Sequence, residues 1–213
     1  MSLGSRVRAL AGPLEPALAR VYRATFFDLG ALAEAVHQRV AAESILEIGC
    51  GEGALADEIL RRYPRARLVG IDPSPRAGRL FQGDRRRASF HRASAGELAR
   101  RSPGAFELVL ICDVLHHVPW AEHPALLADA ARALRPGGTL VVKEWERRPT
   151  PIHLAGYLSD RVITGDRIRY GHAEEFRRLF TTAFGPGCIE HETRLPPWRN
   201  NLAFFLRPGR GRA

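Results

Sequence analysis

Lysine is almost absent from this chain. Lys143 is the only one among 32 basic residues in 213, and the rest are arginine. So complete a replacement fits the codon bias of a GC-rich genome better than selection for a ligand. The net charge of +9 is also dispersed, with short clusters at Arg85-Arg86-Arg87, Arg100-Arg101, Arg147-Arg148 and Arg207/Arg210/Arg212. A solvated basic surface is the expected reading, with attraction toward an anionic substrate, a membrane face or nucleic acid as the alternative. Cysteine is scarce too. Cys50, Cys112 and Cys188 are odd in number, far apart and without a CxxC pair. That argues against a disulfide framework and against a zinc site, and fits a reducing cytoplasm. No apolar run approaches the roughly 20 residues of a membrane helix. Residues 1–13 lack the apolar stretch of a signal peptide. Repeats and low-complexity blocks are missing as well. A 45% hydrophobic and 26% charged composition excludes disorder and fibre, and the length suits one domain with its own core.

The apolar pattern then gives the organisation. From Leu14 to Val40, apolar residues recur near helical spacing, which predicts one or two amphipathic helices. Ser44–Gly49 reads as a strand ending in glycines, and Ala54–Arg62 as a helix stopped by Tyr63-Pro64. Further strands are expected over Ala66–Ile71, Ala88–Arg92, Phe106–Cys112 and Thr139–Lys143, with a helix over Pro124–Leu134. Strands alternating with helices predict a parallel sheet, and the apolar Phe106–Cys112 predicts cover on both faces. After Pro149 the rhythm changes. Ile152–Ile163 and Ala173–Ala183 look helical, and Gly187–Leu195 and Leu202–Arg207 look like a closing antiparallel strand pair.

The chemistry concentrates where the first strand ends. Glu47-Ile48-Gly49-Cys50-Gly51-Glu52-Gly53-Ala54 is a strand–glycine–helix passage, which lets a ligand approach the backbone closely. Asp72 ends the second strand, where a carboxylate can accept from both hydroxyls of a ribose. A nucleoside-containing cofactor is the natural inference. Gly49, Gly51 and Ala54 also satisfy the dinucleotide pattern GxGxxG/A, so the loop alone leaves the cofactor open. Three features shift the weight: Glu47 two residues before the loop, Asp113-Val114-Leu115-His116-His117-Val118 after the fourth strand, and the terminal strand pair.

On these residues the sequence resembles the class I S-adenosylmethionine-dependent methyltransferases of the small-molecule group, most closely from Ser44 to Lys143. Val69-Gly70-Ile71-Asp72 and Leu134-Arg135-Pro136-Gly137-Gly138 match the same family. The resemblance implies a Rossmann-like three-layer α/β sandwich, with a mostly parallel seven-stranded sheet and an antiparallel C-terminal strand pair. It implies S-adenosylmethionine as cofactor and S-adenosylhomocysteine as product. It places Glu47, Gly49, Cys50, Gly51 and Gly53 at the methionine part, Asp72 and Pro73 at the ribose, and Asp113 and Val114 beside the transferable methyl. Ser94 and Ala95 fall where the family often has Gly-Asp-Ala against the adenine, so a hydroxyl replaces a carboxylate there.

The expected reaction is an in-line displacement onto a small organic molecule or lipid, most simply at oxygen, in which alignment and exclusion of water carry the catalysis. His116 and His117 are the candidate general bases or pocket wall. Adjacent residues point apart and no third ligand is spaced to join them, so no metal is expected. Candidate substrate contacts are Tyr22, Trp145, Tyr157, Asp160 and Tyr170. The expected organisation is a single domain over 1–213: a helical segment 14–43, a cofactor-binding core 44–143, a substrate-facing region 144–186 and a strand pair 187–207. A monomer or homodimer is expected, with peripheral membrane contact compatible and nucleic acid disfavoured. Three alternatives stay open. An NAD(P) oxidoreductase lacks a Tyr-x-x-x-Lys pair, since Lys143 lies in a strand. A nucleic-acid methyltransferase is favoured by charge but lacks the Asn/Asp-Pro-Pro-Tyr/Phe pattern. A non-catalytic cofactor-binding protein would suit the Ser94 departure.

Overall fold

A strand sends successive side chains to opposite faces of its sheet. In β4 (Phe106–Cys112), Leu108, Val109, Leu110 and Ile111 are all buried, so both faces of the central strand are covered. The computed structural model describes residues 28–150 and 169–209. Seven strands form one sheet in the order β3-β2-β1-β4-β5-β7-β6. These are β1 (Ser44–Ile48), β2 (Arg67–Asp72), β3 (Ala88–Arg92), β4, β5 (Leu134–Trp145), β6 (Ile189–Leu195) and β7 (Asn201–Leu206). β1 to β5 pair in parallel. β7 joins β5 and β6 antiparallel. The expected seven-stranded mixed sheet is therefore present.

Among the described residues, five α-helices flank it: α1 (Leu29–His37), α2 (Ala54–Arg62), α3 (Ala95–Arg101), α4 (His123–Ala133) and α5 (Ala173–Phe184). One face of the sheet, with Leu46, Val109, Ile111, Val142 and Phe204, packs on Leu127 and Ala130 of α4 and Phe176 and Phe180 of α5. The other, with Ile45, Leu108, Leu110, Val141 and Phe205, packs on Leu32 and Val36 of α1 and Ile59 and Leu60 of α2. Residues three and four apart give α1, α2, α4 and α5 their buried stripes. Between β1 and β4 the strand order reverses, which opens a crevice at the carboxyl ends of those strands.

Three differences from the sequence reading have physical reasons. α3 was not expected; Ser94 and Glu97 form a reciprocal capping box that starts it. β5 exceeds the expected Thr139–Lys143 at both ends: it begins at Leu134, which pairs with Phe106 of β4, and runs to Trp145, because β7 pairs with it as far as Asn201. The loop after β4 contains a 3-10 turn, Leu115–His117, that propensity did not announce. The expected helix over Ile152–Ile163, and Tyr22, Tyr157 and Asp160, lie outside the described residues.

Candidate active site at the carboxyl ends of the sheet

The glycine loop is pinned by backbone bonds. The amides of Gly49 and Cys50 donate to the Ile71 carbonyl at 2.8 and 3.0 Å, which carries β1 over the tip of β2. Gly51 N–H donates to Asp72 Oδ2 at 2.9 Å, and Ser74 N–H donates to Oδ1 at 2.8 Å. Gly51 and Asp72 thus face one crevice, as a nucleoside site requires. The two central glycines differ in purpose. Gly49 has φ +75°, and a Cβ there would overlap Val114 Cγ2. Gly51 has φ +49°, and a Cβ there would meet nothing within 4 Å. Gly49 admits a neighbouring side chain; Gly51 keeps open space.

Glu47 lies beneath this loop, 3% exposed, and its Oε2 finds no hydrogen-bond partner among the described residues. Burial, with Asp72 and Asp57 nearby, pushes its carboxyl up to about 8. A buried acid without a donor invites a cationic one. That orphan oxygen, the open space at Gly51 and the Asp72 carboxylate together fit an amino-acid-bearing nucleoside such as S-adenosylmethionine. Glu47 would hold its charged methionine end, and Asp72 its ribose. Cys50 is buried, and its thiol is pushed up chiefly by burial, then by Glu47 and Asp72, so it packs the loop from within. The Pro73 carbonyl accepts from Arg92 Nε at 3.0 Å, which fixes the turn after Asp72. Ser94 is exposed, and its hydroxyl donates to Glu97 Oε2 and accepts from Glu97 N–H. Ala95 opens α3 beside it.

Across the crevice, side chains replace backbone. Asp113 follows β4 with φ +55° and receives Lys143 Nζ on both oxygens, at 2.8 and 2.7 Å. Glu144, on the opposite face of β5, is 1% exposed. Its Oε1 accepts from the amides of Val114 and Leu115 at 2.9 and 2.6 Å. Its Oε2 lies 2.7 Å from His116 Nδ1. Burial pushes Glu144 up, but His116, the Leu115 amide and Lys143 outweigh it and hold the carboxyl below its ordinary value. His123 Nε2 lies 2.8 and 3.1 Å from the carbonyls of Leu115 and Val118, two acceptors that require the N–H there. Tyr170 is buried with its ring centroid 5.2 Å from that of His116, and the Arg169 amide donates to the His116 carbonyl at 3.3 Å.

The structure therefore brings His116, Tyr170 and Glu144 together. His117 is exposed, yet its ring centroid is 4.1 Å from that of His116; adjacency does not point the two rings apart, because the tight 3-10 turn sets them side by side. Donor atoms of Asp113, His116 and Glu144 lie within 4.8 Å of one another. They are spent on Lys143, on each other and on loop amides, so the cluster is an ion-paired network. Trp145 is buried at the end of β5. Sequence reasoning missed the Glu144–His116 and Lys143–Asp113 partnerships. Their signal was two adjacent charges in a strand buried on both faces, which must find partners.

Residues 45–138 match the family described as a methyltransferase domain. A ubiquinone biosynthesis O-methyltransferase of Albidiferax ferrireducens is 31% identical over 121 residues, 54% of this chain and 46% of that protein. The match thus spans about half the length of such a relative. Among solved structures, the apo S-adenosylmethionine-dependent methyltransferase SibL has a TM-score of 0.72 at 21% identity, covering 95% of this chain and 61% of that one. The 1,6-didemethyltoxoflavin-N1-methyltransferase of Burkholderia thailandensis, with bound 1,6-didemethyltoxoflavin and S-adenosylhomocysteine, has a TM-score of 0.66 at 20% identity over 95% and 87%. These two share the fold. Residues 45–138 thus resemble a methyltransferase domain, and the sheet that carries them has the fold of these methyltransferase structures.

Proposed function

We propose that this chain transfers a methyl group from S-adenosylmethionine to an oxygen of a small organic molecule, with His116 as the general base. The observation that carries the reading is the 2.7 Å contact between His116 Nδ1 and the buried Glu144 carboxylate. That carboxylate is itself fixed by two backbone amides. An Nδ1–H donated to Glu144 makes Nε2 the basic nitrogen of the ring. Nε2 takes the hydroxyl proton as the acceptor oxygen attacks, and Glu144 balances the imidazolium that forms. The bound sulfonium supplies an electrophilic methyl and leaves as a neutral thioether. Tyr170 gives the base an aromatic wall, which suits a planar acceptor. The O-methyltransferase relative supports oxygen as the acceptor atom.

The test is a panel of small phenols, carboxylic acids and aryl amines offered with S-adenosylmethionine to the wild type, His116→Ala, Glu144→Gln and His117→Ala. A phenolic acceptor is expected, with turnover reduced about 100-fold or more by His116→Ala and within a few-fold of normal in His117→Ala. The wild-type rate should rise with pH through the histidine range, and the His116→Ala rate should not. Methylation confined to amines, or undiminished by His116→Ala, would sink the reading.

A further inference from the structure

The chain's only lysine sits where none of the described arginines does: in the middle of the sheet, 2% exposed. Lys143 lies opposite Cys112 in the last parallel rung of β4 and β5. Its ammonium meets both oxygens of Asp113, at 2.8 and 2.7 Å, and its carbonyl accepts the Asp113 amide at 2.9 Å. Asp113 is held at φ +55°, a conformation that a residue with a side chain keeps only where its surroundings enforce it. The turn has a direct consequence. It lays Val114 onto Gly49 so closely that no Cβ could stand there. A compact ammonium can sit between two strands where a broad guanidinium fork cannot.

We propose that Lys143 is a positioning residue for the methyl-donor site. Its ammonium clamps Asp113 in the left-handed turn, the turn seats Val114 on Gly49, and the seat fixes the glycine loop that receives the donor. The proposal concerns the donor side alone and holds whichever residue is the base. The Cys112 thiol on β4 senses both members of the pair, together with Glu47 on β1 and Glu144 on β5, and Asp113, His116 and Glu144 bring their polar atoms within 4.8 Å of one another. Removing the ammonium leaves the Asp113 carboxylate beside Glu144 and His116 without its cation.

The experiment measures S-adenosylhomocysteine affinity by calorimetry at pH 8, and apo melting, for the wild type, K143M, D113N and the double variant. At pH 8, K143M should bind at least 10-fold more weakly than the wild type. In the D113N background the same change should alter affinity less than 2-fold, because Lys143 acts through Asp113. Wild-type affinity in K143M, or the same fold-loss in both backgrounds, would overturn the proposal; the latter would make Lys143 a packing residue. If K143M does not fold, D113N carries the test. It should weaken binding at least 5-fold, and wild-type affinity in D113N would overturn the proposal equally.

Discussion

The two sides of the crevice are held by different means. At the tips of β1 and β2, backbone meets backbone or a single acid: Gly49 and Cys50 on Ile71, Gly51 and Ser74 on Asp72. At the tips of β4 and β5, the loop is gripped by two side chains from opposite faces of one strand, Lys143 on Asp113 and Glu144 on His116 and two amides. A backbone-built region needs a short run of particular residues, chiefly glycine, and it tolerates little else. A side-chain-built region needs partners far apart in sequence, and its loop is as stable as those pairings. Each prediction below sharpens or breaks that contrast.

The largest expected effect is electrostatic and lies under the donor loop. Burial, Asp72 and Asp57 raise the Glu47 carboxyl to about 8, whereas in the unfolded chain it titrates near its ordinary ~4.3. Between those values the unfolded chain gives up the proton and the folded one keeps it. Stability is therefore intact below the lower value and falls as pH rises toward the upper one. The shift corresponds to roughly 3–6 kcal/mol across that window. Chemical denaturation of apo wild type and Glu47→Gln from pH 4.5 to 8.5 should show the wild type losing ground to the variant as pH rises. Parallel curves would place Glu47 in contact with solvent or a donor.

Next comes the division of labour between two glycines. Gly49→Ala imposes left-handed strain of about 1–2 kcal/mol and an overlap with Val114 worth roughly 1–3 kcal/mol more. Gly51→Ala imposes only the strain, since its Cβ meets open space. Thermal melting should separate the two, with Gly49→Ala the lower. S-adenosylhomocysteine should instead bind poorly to a Gly51→Ala protein that stays folded. Equal melting losses would mean that Val114 moves aside and the seat on Gly49 is soft. Asp72→Ala should follow, with at least a 10-fold loss of S-adenosylhomocysteine affinity by calorimetry, because charge-assisted bonds are worth about 1.5–3 kcal/mol each. Unchanged affinity would remove Asp72 from the ribose.

The same contrast explains what was legible in the chain beforehand. β3, β4 and α2 begin and end where local pattern put them, because apolar runs and the Tyr63-Pro64 stop are short-range signals. The form of the glycine loop was equally legible, since strand, glycines and helix lie within ten residues. The loop after β4 was not. Glu144 and His116 stand 28 residues apart, Lys143 and Asp113 stand 30 apart, and no periodicity links them before the strands pair. β5 overran its expected end because β7, some 60 residues on, supplies the partner. α3 is a different kind of miss. The Ser-x-x-Glu start at Ser94 was in plain view, but the serine was assigned to the adenine, and one hydroxyl was asked to do two tasks.

That last residue gives the smallest expected effect, which is informative for being small. Ser94 spends its hydroxyl on Glu97 in both directions and stands exposed. Aspartate caps helices about as well as serine, so Ser94→Asp should leave the melting point nearly unchanged, within about 0.5 kcal/mol. Its carboxylate cannot donate to Glu97 and would lie beside it, which turns the new oxygens outward, toward any amine in the crevice. S-adenosylhomocysteine should then bind as well as before or a few-fold more tightly. A large loss of affinity with the fold intact would mean that the end of β3 does not face the adenine, and the donor side would have to be rebuilt around β1 and β2 alone.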